Sequence, residues 1–315
     1  MSETTTTTGE NSAGRTSVRV QTVLYRPATG DVDCLLRGLG QSVRLLQKSM
    51  DVSVVMAFGD ASPVPTLSLD RVAELNVAMR DVGIDQVTYD YFDENLGSAR
   101  GHNRLLEPMR EDFVLFLNPD AYLSPFCLAE LMLLTQDGSV GLVEGRQIPL
   151  EHPKAYDLHS GDTGWASTAC ALVRKEAIEV TQGFDADSFF LYCDDVDLSW
   201  RLRLAGFRVV HQPTALIFHD KRLTLDAHMQ VGEAEHFYAA EAAMMLAWKY
   251  SRPDLAEQWA SDLERSEMEL QRKAAKVFRD RQAAGTLPNP IDPEGRVAEF
   301  IGTDFAEHRF SYADV

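Results

Sequence analysis

An α/β fold organised on a mainly parallel sheet, with a largely helical C-terminal region appended, is what this sequence predicts. Short apolar runs such as VSVVMAF (52–58) and FVLFL (113–117) alternate with segments whose apolar residues recur at helical spacing. The runs end in turn signals, Gly59-Asp60 and Asn118-Pro119-Asp120 among them, so each strand is short and bounded. From about Leu223 the texture changes to charged, helix-forming residues. Strands alternating with helices at this spacing favour parallel pairing, because each crossover helix returns the chain to the same end of the sheet.

In chain order, VRVQTVLYRP from Val18 is the first expected strand, closed by Pro27. VDCLLRGLGQSVRLLQ (32–47) is a helix with Leu35, Leu39 and Val43 on one face. The β-branched run 52–58 is a buried strand, and LSLDRVAELNVAMRDVG (67–83) is a helix stopped at Gly83. QVTYDYF (86–92) is the third strand, after which ENLGSARGHNRLLEPMR (94–110) opens a helix. DFVLFLNPD (112–120) is a strongly apolar strand, followed by a helix entered through Ser124-Pro125. STACALVR (167–174) and FRVVHQPTALIFH (207–219) are further strands. Beyond 223, a break at Ser251-Arg252-Pro253 divides two or more helices, packed on the α/β body or on another subunit. The expected organisation is a disordered tail over 1–17, an α/β domain over 18–222 and a helical region over 223–315.

Composition narrows the function. The 315 residues are 45% hydrophobic, enough for a large core, and carry a formal net charge of −18. Such a surface repels nucleic-acid phosphates and anionic lipids, so a general nucleic-acid or membrane-surface binder is not expected. An anionic ligand held locally through a metal ion is compatible with it. Cys34, Cys127, Cys170 and Cys193 form no CxxC pair and are expected to be buried, reduced thiols, as in a cytoplasm. MSETTTTTGENSAG lacks the basic and apolar regions of a signal peptide, and no apolar run reaches the ~20 residues of a membrane span. A cytoplasmic location, with peripheral membrane contact still open, is the expectation.

Four stretches can carry chemistry. In open α/β sheets ligands bind beyond the carboxyl ends of the strands, which places Tyr25, Asp60, Asn95 and Asn118-Pro119-Asp120 along one rim. Asp120 is a carboxylate of the kind Mg²⁺ takes beside substrate phosphates, although Asn-Pro-Asp also suits a plain turn. In ENLGSARGHNRLL, Gly97 and Gly101 allow close backbone approach, Asn95 and Asn103 offer amides, and Arg100 and Arg104 bring positive charge. The same composition would serve a loop-to-helix junction without a ligand. LYCDDVDLSWRLRLAGF (191–207) crowds three aspartates ahead of a helix. A first helical turn stabilises acids by roughly 0.3–1 kcal/mol each, and Asp197 sits four residues before Arg201 as an ion pair. Asp194 and Asp195 remain as an adjacent pair where a general base could be held. His219 ends a strand at the same rim, where a neutral imidazole can ligate Mn²⁺, and Lys221 and Arg222 beyond it could meet a phosphate.

Taken in order, ENLGSARGHNRLL, FVLFLNPDAYLSP, TGWASTACALVRKEA and GFDADSFFLYCDDVDLSWRLRLAGFRVVHQPTALIFH resemble the inverting glycosyltransferases of family 2, in their rhamnosyltransferase-like branch. The likeness runs from about Val20 to His219. It implies the GT-A fold, a Rossmann-like sheet for nucleotide-diphospho-sugars, and a metal-dependent transfer of sugar to a hydroxyl. By resemblance the metal motif falls on Asn118-Pro119-Asp120, with Asp120 as ligand, Asn118 towards the sugar nucleotide and His219 as a further metal group. The family's acidic pair falls on Asp194-Asp195, which makes Asp195 the base and lets Asp194 hold it or bind the acceptor. Trp165 takes the place of an acceptor-facing aromatic. Tyr25, Asp60, Asn95, Arg100 and Asn103 are the remaining implied nucleotide-sugar contacts. The chain departs from the family at LYRPATGD after the first strand and at Phe58 after the second. The resemblance implies a Mg²⁺ or Mn²⁺ cofactor and a nucleoside-diphosphate sugar, with dTDP-rhamnose favoured and UDP-hexoses an alternative. A saccharide, lipid-linked or small-metabolite acceptor would fit, and the C-terminal helices could support a homo-oligomer. Three rivals are weighed: a nucleotidylyltransferase, for which YRPATGDVD is a poor phosphate loop, a degenerate sugar-nucleotide-binding scaffold, and a structural role with no sugar nucleotide.

Overall fold

The computed structural model describes residues 15–107, 109–221, 223 and 232–306. Most of the expected N-terminal tail, and Arg222, lie outside them. Strands β1 (Thr16–Leu24), β2 (Val52–Asp60) and β3 (Gln86–Tyr91) alternate with helices α1 (Asp31–Leu46), α2 (Leu69–Arg80) and α3 (Gly97–Leu106). Next come β4 (Phe113–Leu117), β5 (Ala121–Leu123), α4 (Cys127–Leu134), β6 (Val140–Ile148), β7 (Cys170–Arg174), α5 (Lys175–Thr181), α6 (Asp194–Leu204) and β8 (Arg208–His219). Helices α7 (Glu233–Lys249), α8 (Pro253–Leu263) and α9 (Glu269–Ala284) complete the described chain. Pro253 opens α8 as its first residue, where a missing N–H costs nothing.

The eight strands form one sheet in the order β3-β2-β1-β4-β7-β6-β8-β5. It is a mixed sheet: β3, β2, β1 and β4 are parallel, β7 runs antiparallel to β4 and β6, and β8 is parallel to β6. Two reversals cancel, so β6 and β8 point the same way as β4. The carboxyl ends of β1, β2, β4 and β8 therefore share one rim, and β7 begins there. Strand β6 is the element the sequence pattern hides, because VGLVEGRQI interrupts its apolar residues with Gly, Glu and Arg.

Alternation along β4 distributes the core. Phe113, Leu115 and Leu117 join the cluster under α1, α2 and α4, while Val114 and Phe116 join the one under α3, α5 and α6. A third core crosses the expected boundary at residue 222. Trp165, Phe189, Val196 and Trp200 pack with Met244, Tyr250, Leu255, Ala260 and Phe278 of the C-terminal helices. Trp200 meets Tyr250 edge to face with ring centroids 4.6 Å apart. The helical region is thus built onto α6, the helix that begins with the aspartates. Cys127, Cys170 and Cys193 are buried as expected, but Cys34 is exposed, since it sits on the outer face of α1.

Candidate active site

The rim is organised by the turn into α6. Tyr192 and Cys193 both adopt left-handed backbone conformations, φ +67° and +54°, immediately before the aspartates. Non-glycine residues hold that geometry at a cost of about 1–3 kcal/mol each, a strain that concentrates at functional sites. The preceding loop is tied to the start of α3. Ser98 N–H donates to Phe190 O at 2.9 Å, and a Cβ on Gly97 (φ +68°) would lie 2.3 Å from that same oxygen. Only glycine permits this approach.

Asp194 is 4% exposed, and its Oδ2 has no hydrogen-bond partner. Asp195 is half-buried, with Oδ1 accepting from Val196 N–H at 2.8 Å. Burial pushes the Asp194 carboxyl up to about 7, helped by the charge of Asp195. Burial also pushes Asp195 up to about 6, against the Val196 amide and the Lys154 charge, which favour its ionised form. A surface helix start would leave these acids solvated and strongly acidic. Asp197 has the structural role expected of it, since Arg201 Nε reaches it at 2.7 Å and Tyr250 donates to it at 3.1 Å.

A cavity of about 550 Å³ opens beside the pair. Asn118 and His219 line it from the ends of β4 and β8, as do Lys221, Trp165 and both aspartates. His219 pairs with Ala121 across the β5–β8 ladder, which brings its ring to Asp120: Nε2 stands 3.3 Å from Asp120 Oδ1. On the other side, Nδ1 lies 2.7 Å from Gln147 Oε1. With Gln147 Oε1 accepting from Nδ1, a neutral His219 would turn its Nε2 lone pair to the carboxylate. Two acceptors facing each other call for a proton or a cation between them, so the pair fits a divalent metal of mixed oxygen and nitrogen preference. No group of three or more His, Cys, Asp and Glu side chains is placed to hold a metal among the described residues.

Behind the cavity stands a buried ionic cluster that the sequence did not reveal. Lys154 Nζ contacts both Glu144 oxygens at 2.6 and 2.7 Å, and His211 Nδ1 approaches the same carboxylate at 3.1 Å. Burial is the largest influence and works against ionising Glu144, but the charges and hydrogen bonds of Lys154 and His211 together hold the carboxyl below its usual range. Glu144 also accepts from Ser167 N–H at 2.7 Å, and Lys154 Nζ sits 3.9 Å over the Trp165 ring. The cluster therefore fixes the 165–169 loop that carries Trp165 to the cavity. A lone Glu inside the apolar run VGLVEG was the available signal, since a charge there must find a partner.

Other expected contacts are committed elsewhere. Both amide atoms of Asn103 are used by Phe184, donating to its carbonyl at 2.7 Å and accepting its N–H at 2.8 Å. Asn103 is therefore a clamp between α3 and the 183–190 loop. Replacing it with Ala should destabilise the fold by about 1–3 kcal/mol while donor binding survives, as thermal melts with and without nucleotide would show. Asp60 is fully buried, and its carboxylate accepts from Ser62 N–H (2.9 Å), Thr66 N–H (2.6 Å) and Tyr89 OH (2.5 Å). These bonds hold it below the usual carboxylate range despite burial, so Asp60 shapes the 61–66 loop instead of presenting a free carboxylate. Asn95 is exposed and caps the turn into α3 through Gly97 N–H at 3.2 Å. Arg100 is exposed and pairs loosely with Asp187 at 3.4 Å, while Tyr25 stands half-exposed at the rim beneath Arg26.

No family model matches this chain. Over 58 residues it is 45% identical to the N-acetylglucosaminyl-diphospho-decaprenol L-rhamnosyltransferase of Mycobacterium tuberculosis, a segment covering 18% of this chain and 19% of that protein. Over 148 residues it is 34% identical to the pre-mycofactocin glycosyltransferase of the same organism, covering 41% of this chain and 31% of the other. The chain thus matches less than a third of the length of either relative. Among solved structures, the mannosyltransferase PcManGT from Pyrobaculum calidifontis, in complex with GDP-Man and Mn²⁺, superposes with a TM-score of 0.54 at 16% identity. That match covers 85% of this chain and 80% of the other. GalNAc-T7 with UDP, GalNAc and Mn²⁺ gives 0.55 at 9% identity, covering 88% and 59%. The fold is GT-A, a mixed sheet flanked by helices, with a helical C-terminal part.

Proposed function

We propose that this protein is an inverting glycosyltransferase that moves a sugar from a nucleoside-diphosphate donor to an acceptor hydroxyl, with Asp195 as general base and a divalent cation at Asp120 and His219. One observation carries the proposal: the half-buried, raised-pKa Asp195 and the strand-end His219 line the same cavity. The GT-A fold and the Mn²⁺ in two neighbouring structures support it. Asp120 and His219 would supply two ligands, the donor diphosphate and water the rest. A divalent cation held by these two side chains would supply positive charge against the departing diphosphate.

The chain's own residues account for the proton. Asp195, ionised above about pH 6, accepts the acceptor's hydroxyl hydrogen as that oxygen forms its bond to the anomeric carbon. The bond from that carbon to the diphosphate oxygen breaks, its electron pair leaves with the diphosphate, and the anomeric centre inverts. Asp194 holds the second acid position, and Asn118 faces the donor sugar. Holding both reactants in one cavity supplies much of the remaining acceleration. The similarity to a rhamnosyltransferase favours a deoxyhexose donor such as dTDP-rhamnose.

A thermal-shift screen of dTDP-rhamnose, UDP-glucose and GDP-mannose, each with and without Mn²⁺, tests the proposal. Stabilisation that requires both the metal and one nucleotide class is expected; at a hundredfold excess over Kd the gain is about 2.7 kcal/mol. No shift with any donor and metal would remove the proposal. No helix among the described residues is long and apolar enough to cross a membrane.

A further inference from the structure

The cavity continues past the aspartates into a compartment the sheet does not build. Its far wall comes from the C-terminal helices and the segment after them: Ala239 and Ala243 of α7, Trp259 and Leu263 of α8, then Met268 and Phe305. The alanines stand four residues apart on one face of α7, and their small side chains leave the space open. The indole N–H of Trp259 already donates to Thr303 O at 2.8 Å, so its part of the wall is apolar. Glu235 and His236 at the start of α7, Gln271 of α9 and Asp304 are the polar residues on this side. At the opposite end, the unpartnered Oδ2 of Asp194 lacks a hydrogen-bond donor.

We infer that the acceptor is a compact molecule with a rigid apolar or aromatic ring system seated against this wall, its hydroxyl or hydroxyl-bearing sugar presented to the aspartates. The inference rests on the proposed transfer and names its acceptor class. A cavity of about 550 Å³ is the size of a small-ligand pocket, too small for a long prenyl chain. An extended saccharide needs rows of hydrogen-bonding groups, whereas alanine, leucine, methionine and aromatic side chains make up most of this wall, with Glu235, His236, Gln271 and Asp304 as its polar members.

Calorimetric titration of the full chain with Mn²⁺ and dTDP tests this, using 4-nitrophenyl β-D-glucoside, methyl β-D-glucoside, maltotriose and farnesyl phosphate as probes. The aryl glucoside should bind roughly tenfold to a hundredfold more tightly than the methyl glucoside, the range for burying a phenyl-sized group. Ala243→Leu fills the compartment and should erase most of that preference. Met268→Glu does the same from the rim, at a side chain 38% exposed and therefore tolerant of change. Equal affinities for the two glucosides, tighter binding of maltotriose or farnesyl phosphate, or a preference untouched by both variants would overturn the inference. The Mn²⁺-dependent donor shift is read in parallel. Its persistence leaves the transferase proposal standing when the aryl preference fails, and its absence removes both.

Discussion

Replacing Asp195 with Asn should reduce sugar transfer on the order of 10²–10⁴-fold, the usual worth of a positioned general base, while donor binding remains nearly intact. The substitution keeps the shape and the Val196 N–H contact but removes the proton acceptor. The wild-type pH profile should carry the same signature. Burial raises Asp194 and Asp195 to about 7 and about 6, so the ionised base is present above that range and lost as pH falls through it. The acid limb of kcat/KM should therefore lie near pH 6–7, not near the ordinary carboxylate value of about 4. Asp194, raised to about 7, stays protonated while Asp195 ionises near 6, so Asp194→Asn should leave the acid limb near pH 6. An acid limb near 4, or full activity in Asp195→Asn, would remove the base from Asp195.

Removing either side chain of the strand-end pair should have an effect of similar size on a different quantity. Asp120→Ala or His219→Ala should weaken Mn²⁺ affinity, measured by calorimetry in the presence of dTDP, by roughly a hundredfold or more. Gln147→Leu keeps both side chains but frees the imidazole from the 2.7 Å contact that orients it, and should cost roughly tenfold to a hundredfold. The ordering is the informative part. A graded loss, largest for the two facing side chains and smaller for Gln147, identifies ligands and their support. Unchanged Mn²⁺ affinity in Asp120→Ala and His219→Ala would mean that these residues do not hold the cation.

Much of the architecture was legible because it depends on local periodicity. The apolar runs at 18–24, 52–58 and 113–117, the helical spacing of Leu35, Leu39 and Val43, and the break at Pro253 each report on burial within a few residues. The reversal at β7 was not legible, since antiparallel and parallel neighbours present the same apolar pattern once both faces are covered. Strand β6 escaped because Glu144 breaks its run, and that glutamate turned out to be the hub of the Lys154, His211 and Ser167 contacts.

By itself the sequence determined the alternation of strands and helices, the rim at the carboxyl ends of the strands, and the crowding of Asp194 and Asp195 before a helix. Tertiary structure alone decided that Asn103 clamps α3 to the 183–190 loop, that Asp60 is consumed by the 61–66 loop, that Gln147 orients His219, and that α7 to α9 wall the cavity. The physical reason is range. Propensity and periodicity act between residues a few positions apart, whereas hydrogen-bond satisfaction and enclosure of a cavity depend on partners that only folding brings close. Trp259, about 140 residues after Asn118, shares its cavity because Trp200 and Tyr250 lock the helical region onto α6.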